Sequence, residues 1–156
     1  MIDTQTAGSD QRWLSFRVGA QLYAAPLGEI SEVIRDGEIT PVPGAAGDLL
    51  GIRHLRGRIV PVLDGRRRLG LDEGQDLDVG QIRLIMLSHG AHLVGLRVDA
   101  IGDLVSPGHS GIAPPPPGAA ARVDDPVYGV IPWQGSFVAL LDVGRLCRLP
   151  AESEVA

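Results

Sequence analysis

Lysine is missing from this 156-residue chain, and all fourteen basic residues are arginine. A phosphate-cradling Gly-rich loop of the type that ends in lysine is therefore excluded. Cysteine is reduced to one residue, Cys147, so no internal disulfide can form. Aromatic side chains make up 4% of the chain, which leaves few platforms on which nucleic-acid bases could stack. No apolar run reaches the roughly eighteen residues of a membrane helix, and polar residues 1–12 contain no apolar segment resembling a signal peptide. An excess of positive charge is lacking as well. The net charge of −5 argues against general affinity for nucleic acid or anionic lipid, which rests on neutralising phosphates. The cytoplasm is the expected compartment.

What is present is aliphatic and punctuated by turns. Hydrophobic residues make up 44% and charged residues 21%, enough apolar material for a core, while Gly 21 and Pro 12 break the chain often. Short alternating runs of Val, Leu and Ile between such breaks indicate an all-β chain. Six of the fourteen arginines lie between Arg53 and Arg68, and the run Arg66-Arg67-Arg68 reads as a solvated face of a short helix, as charge runs usually do.

The chain is internally duplicated. Residues 51–67 read G-I-R-H-L-R-G-R-I-V-P-V-L-D-G-R-R, and 78 positions on, residues 129–145 read G-V-I-P-W-Q-G-S-F-V-A-L-L-D-V-G-R. Six of the seventeen positions are identical: Gly51/Gly129, Gly57/Gly135, Val60/Val138, Leu63/Leu141, Asp64/Asp142 and Arg67/Arg145. Upstream, Gly19-Ala20-Gln21-Leu22 matches Gly90-Ala91-His92-Leu93, and residues 30–34 match 101–105, both at an offset of 71. The expected strands are 14–18, 21–26, 31–35, 50–55 and 58–63 in the first copy, and 83–88, 92–98, 101–105, 127–132 and 136–141 in the second. Such a pattern predicts a duplicated small β-barrel, the first copy over about 13–70 and the second over about 81–149, with flexible ends at 1–12 and 150–156.

Asp64 and Asp142 each follow a strand and precede a short helical stretch, where an aspartate caps free N–H groups. Cys147 aligns with the apolar Leu69, so a buried reduced thiol is expected. Residues 114–117 are consecutive prolines and predict an extended connector. The histidines His54, His89, His92 and His109 fall in no catalytic or metal-ligand motif, so neither an enzyme nor a metal or cofactor site is expected. A small-barrel nucleic-acid binder is the rival from another class, motivated by the arginine cluster, but Trp13, Phe16, Tyr23, Tyr128, Trp133 and Phe137 fall mostly at alternating strand positions suited to a core.

The motifs G-A-Q-L-Y-A-A-P-L-G-E-I-S-E-V-I, I-T-P-V-P-G-A, L-G-I-R-H-L-R-G-R-I-V-P-V-L-D and V-G-L-R-V-D-A-I-G-D-L-V together resemble the CheW-like domain over residues 13–149. The block at 50–64 is the most specific of them. The resemblance implies two small five-stranded β-barrels sharing a hydrophobic core, and a non-enzymatic cytoplasmic adaptor, peripheral to receptor arrays at the inner membrane, coupling chemoreceptors to a CheA-type histidine kinase. A counterpart serving surface motility, development or gene regulation is the nearer alternative. The implied partners are the kinase regulatory domain, a receptor's cytoplasmic hairpin tip and further CheW-like domains in array rings, with no nucleic acid and no membrane insertion. By the same resemblance, Ile30, Glu32, Val33, Arg56, Ile101 and Leu104 face the receptor, and Ile39, Val42 and Gly51 face the kinase. Ile30/Ile101 and Val33/Leu104 are also repeat partners, so a place in the core is the competing expectation for all four. The chain departs from the family pattern at His54 (usually Asn), at Gly65 (usually hydrophobic) and at the Trp133-Gln134-Gly135 hairpin.

Overall fold

A computed structural model describes residues 11–44, 47–71, 78–108, 111–115 and 125–148. Ten strands form: β1 Trp13–Val18, β2 Gln21–Pro26, β3 Ile30–Arg35, β4 Leu49–Leu55, β5 Arg58–Asp64, β6 Arg83–His89, β7 His92–Val98, β8 Ala100–Val105, β9 Val127–Trp133 and β10 Ser136–Leu141. Their ends differ from the expected ones by at most one residue. Two four-residue helices, α1 Gly65–Arg68 and α2 Val143–Leu146, follow β5 and β10. No helix among the described residues is long and apolar enough to cross a membrane. Pro114 and Pro115 lie outside any strand, whereas Pro116, Pro117, His109 and the chain ends 1–10 and 149–156 fall outside the described residues.

The strands assemble into two five-stranded sheets, β8-β1-β2-β10-β9 and β3-β6-β7-β5-β4. This corrects the expectation that each barrel is one contiguous half. β1 and β2 have left the first half to pair with β8 and β10, and β6 and β7 pair with β3 and β5. The physical reason lies in the parallel pairings. Leu140 stands opposite Ala24 and Val62 opposite Gly95, and parallel neighbours need a long crossover that a short hairpin cannot supply. Each half therefore lends its first hairpin to the other. The exchange is reciprocal down to the irregularities: β1–β8 skips a residue between Leu14 and Phe16, and β3–β6 does so between Ile30 and Glu32. The sheets are also open, since among the described residues no ladder joins β3 to β4 or β8 to β9.

The exchange places a common core between the sheets. Phe16, Val18, Leu63, Ile85, Leu96, Leu141 and Leu146 are fully buried there, each drawn from an alternate strand position or a helix face, and each such side chain contributes about 1.5–3 kcal/mol by leaving water. Smaller clusters fill the two sheets, Trp13, Ile131 and Leu140 in one and Val60, Leu84 and Met86 in the other.

All six positions retained between the copies serve the backbone or the core. Val60, Val138, Leu63 and Leu141 are buried. A Cβ on Gly51 would lie 2.2 Å from the Thr40 carbonyl oxygen, and one on Gly129 would lie 2.4 Å from Ile112 Cγ2, so only glycine lets the preceding segment pair with β4 and β9. Gly57 and Gly135 take φ of 80° and 78° in the hairpin turns. Asp64 accepts from the Arg66 N–H and Asp142 from the Arg145 N–H, capping α1 and α2. Arg67 and Arg145 each donate to the carbonyl of a residue preceding the next-to-last strand of their half, Gly47 and Asp125.

The solvated-face expectation for Arg66-Arg67-Arg68 fails at two of three residues. Arg66 and Arg68 are 7% and 1% exposed. Arg66 pairs with Asp99 at 2.9 Å, and the same carboxylate accepts from the Gly19 N–H at 2.7 Å. Arg68 donates to the Leu146 carbonyl at 2.9 Å and the Arg145 carbonyl at 2.6 Å, satisfying the free end of α2. Core apolar side chains cannot satisfy those carbonyls, so buried guanidinium groups do. Gly65 is explained by packing as well: its Cβ would lie 2.5 Å from the Arg97 carbonyl oxygen. Cys147 is buried, and burial pushes its thiol up to about 12.

Candidate functional site

The open gap between β3 and β4 gathers the polar residues of interest. Arg53 donates to the Arg35 carbonyl across it at 3.1 Å. Beside it, Arg56 grips Glu32 with both terminal nitrogens, Nη1 on Oε2 and Nη2 on Oε1. This fork-to-fork geometry is the strong form of an arginine–carboxylate contact. Hydrogen bonds from Arg56 hold the Glu32 carboxyl below its ordinary range, and Glu32 in turn raises the Arg56 guanidinium. Because the folded carboxyl is depressed, the pair is present above the ordinary carboxylate range and is lost as pH falls through the lowered value. The Arg56 side chain remains 70% exposed.

Arg56 is held outward by its backbone. Its φ is 50°, a left-handed value rare for a non-glycine residue, and Gln134 at the equivalent turn has φ 47°. Both two-residue hairpin turns therefore present their first residue in the same backbone pose, one charged and one neutral.

The four apolar residues expected on the receptor side separate into two pairs. Ile30 and Ile101 are half-buried and pack against the shared core, as the competing expectation held. Val33 and Leu104 are 37% and 46% exposed on the edge strands β3 and β8. The three residues expected on the kinase side separate too. Ile39 is half-buried against the inner cluster of its sheet, with Gly51 directly below it. Val42, in the connection before β4, is 38% exposed.

Sequence reasoning missed one exposed pair. Ile59 and Phe137 are repeat partners, 61% and 64% exposed on the outer faces of β5 and β10. Their alternation matches that of core residues, so the pattern alone gave no signal. Among the described residues no group of three or more His, Cys, Asp or Glu side chains is arranged to hold a metal ion.

Comparison with known proteins bears on this arrangement. The model of the CheW-like domain family matches residues 12–151. The chain is 28% identical to a chemotaxis protein CheW of Rhizobium meliloti over 143 residues, covering 92% of this chain and 90% of that one. It is 30% identical to Protein FrzA of Myxococcus xanthus, covering 96% and 93%. Among solved structures, the scaffolding protein TtCheW of Thermoanaerobacter tengcongensis superposes with a TM-score of 0.78 at 25% identity, covering 90% of this chain and 94% of that one.

Proposed function

The chain belongs to the CheW-like domain family, and from that premise we propose that it is a non-enzymatic coupling adaptor, linking chemoreceptors to a CheA-type histidine kinase in a chemosensory array. The observation that carries this reading is the family match across residues 12–151, joined to the fold shared with a protein described as a scaffold. An adaptor needs separate faces, and the exposed apolar residues Val33, Leu104 and Val42 support that reading. The edge-strand residues Val33 and Leu104, together with the Glu32–Arg56 pair, form the proposed receptor face, against which an amphipathic helical hairpin can lay its apolar side. Ile30 and Ile101 support that face from the core. Ile39, Val42 and Gly51 make up the proposed kinase face, with the exposed Val42 as its apolar contact. In this reading the protein works in the cytoplasm, at the inner face of the membrane where receptor arrays sit.

The receptor and kinase encoded nearest to it supply the test. Vesicles carrying the receptor tip should recruit the kinase and raise its activity only when the chain is added. Failure to recruit, with both partners folded, would remove the proposal. In calorimetry with the kinase regulatory domain, Val42→Asp should weaken binding while leaving recruitment to receptors intact.

A second reading has one specific observation in its favour: the relative at 30% identity is named FrzA and not as a chemotaxis protein. Under it the same adaptor serves surface motility, development or gene regulation. Deleting the gene separates the two, since only the first reading requires loss of swimming chemotaxis.

A further inference from the structure

Two grooves lie at equivalent places on the molecule. Each is bordered by the outer face of a hairpin strand, by the turn of the exchanged hairpin and by the end of a helix region. Phe137, Gln21 and Leu69 border one of about 670 Å³, and their repeat partners Ile59, His92 and Cys147 border the other of about 460 Å³. The exposed apolar residue is common to both, and the chemistry around it is not. Arg58, His89, His92 and Arg148 line the smaller groove and no carboxylate does. In the larger groove the equivalents of Arg58, His92 and Arg148 are Ser136, Gln21 and Gly70, the equivalent of His89 is the core residue Val18, and Asp125 is part of the lining.

Two further facts bear on the smaller groove. Arg58 and Arg148 are exposed, and among the described residues neither side chain makes a hydrogen bond or ion pair. A chain of net charge −5 thus keeps a one-sign basic groove with two unengaged guanidinium groups. Nor does folding ask for them, since the larger groove closes with serine and glycine at those positions. A surface that holds like charges together without need gains from an anion brought by something else, and guanidinium groups match carboxylates in paired hydrogen bonds.

We infer that the groove between β5, the β6–β7 turn and α2 docks an acidic segment of a partner protein, its carboxylates on Arg58 and Arg148 and an apolar side chain against Ile59. This face shares no residue with the receptor or kinase faces proposed above, so it adds a third contact to the adaptor.

A fluorescein-labelled peptide Glu-Glu-Leu-Glu-Glu, followed by anisotropy at low ionic strength, tests the assignment on the full chain. Its lysine counterpart and a labelled oligothymidine serve as comparators. The acidic peptide should bind, and Arg58→Glu with Arg148→Glu should weaken it about tenfold or more. The glutamine pair, Arg58→Gln with Arg148→Gln, should weaken it less, with unchanged circular dichroism in both variants. In ¹⁵N-correlated spectra, the peptide should shift the amides of Ile59, His89, His92 and Arg148 and leave those of Ser136 and Phe137 in place. Absence of binding, equal binding by the glutamate variant, shifts centred on Phe137, or tighter binding of the oligothymidine would each overturn it.

Discussion

Between β3 and β4 the gap in one sheet is spanned by Arg53 and by the Arg56–Glu32 pair. Between β8 and β9 the equivalents of Arg53 and Leu55 are Ile131, fully buried, and Trp133, packed against the same cluster, while Gln134 stands where Arg56 does. One backbone plan is closed by exposed charge on one side and by apolar packing on the other. Duplication thus separates what the backbone demands from what it tolerates. Positions with no freedom keep their residue in both copies, and positions with freedom have diverged toward different surfaces.

The largest expected effect attacks a device that only one copy has. Asp99 joins Arg66 to the Gly19 turn, whereas the equivalent positions Gly28 and Gly144 carry no side chain to do so. Asp99→Ala removes the carboxylate that holds a nearly buried guanidinium and the Gly19 N–H, and should cost about 3–5 kcal/mol in urea unfolding. A loss below 1 kcal/mol would mean that the staple is dispensable and that the two halves are mechanically alike.

Next comes the gap itself. Ile131→Ala removes fully buried methyl groups and should cost about 2–4 kcal/mol, while Arg53→Ala at the equivalent position loses one exposed hydrogen bond and should cost no more than about 1 kcal/mol. Equal losses from the two variants would abolish the distinction between apolar and polar closure. The helix caps should behave oppositely, because they are shared. Asp64→Ala and Asp142→Ala should each lower stability by about 1 kcal/mol, and a clear inequality would show that equal capping geometry does not carry equal weight.

Short apolar runs and the turn residues between them were enough to place the ten described strands to within a residue, most of which stop at or just before a Gly, Pro or Asp. They were blind to the exchange of hairpins, since pairing Leu140 with Ala24 leaves the same alternation as any other partner would. The arginine run shows a second limit. Arg66 and Arg68 are buried by groups far along the chain, Asp99 and the end of α2, and nothing within a local window announces a distant carboxylate or carbonyl. For the proposed site, the family motif pointed to Glu32 and Arg56, and an exposed ion pair between the two was the alternative to a partner contact for Arg56. Their direct pairing depends on β3 and β4 being edges of the same open sheet, which only the topology supplies.

The smallest effect on stability is expected at Arg56, and there the comparison reaches function. Gln134 holds the same left-handed turn conformation without a charge, so the turn does not need a guanidinium. Arg56 is mostly exposed and among the described residues its one carboxylate partner is Glu32, so Arg56→Glu should leave the circular dichroism spectrum, thermal midpoint and kinase binding close to wild type. Receptor-dependent kinase activation should nevertheless be abolished. That variant alone confounds two losses, the broken pair and the missing cation at its place. Exchanging the charges, Glu32→Arg with Arg56→Glu, separates them, because the pair can form again with its ends reversed. If the pair merely closes the gap, the exchanged protein should regain coupling; if Arg56 meets the receptor, coupling should stay lost while the fold is unaffected. Recovery of activation in the exchanged protein would therefore reduce Arg56 to a gap-closing residue and return its side of the molecule to the same standing as Gln134.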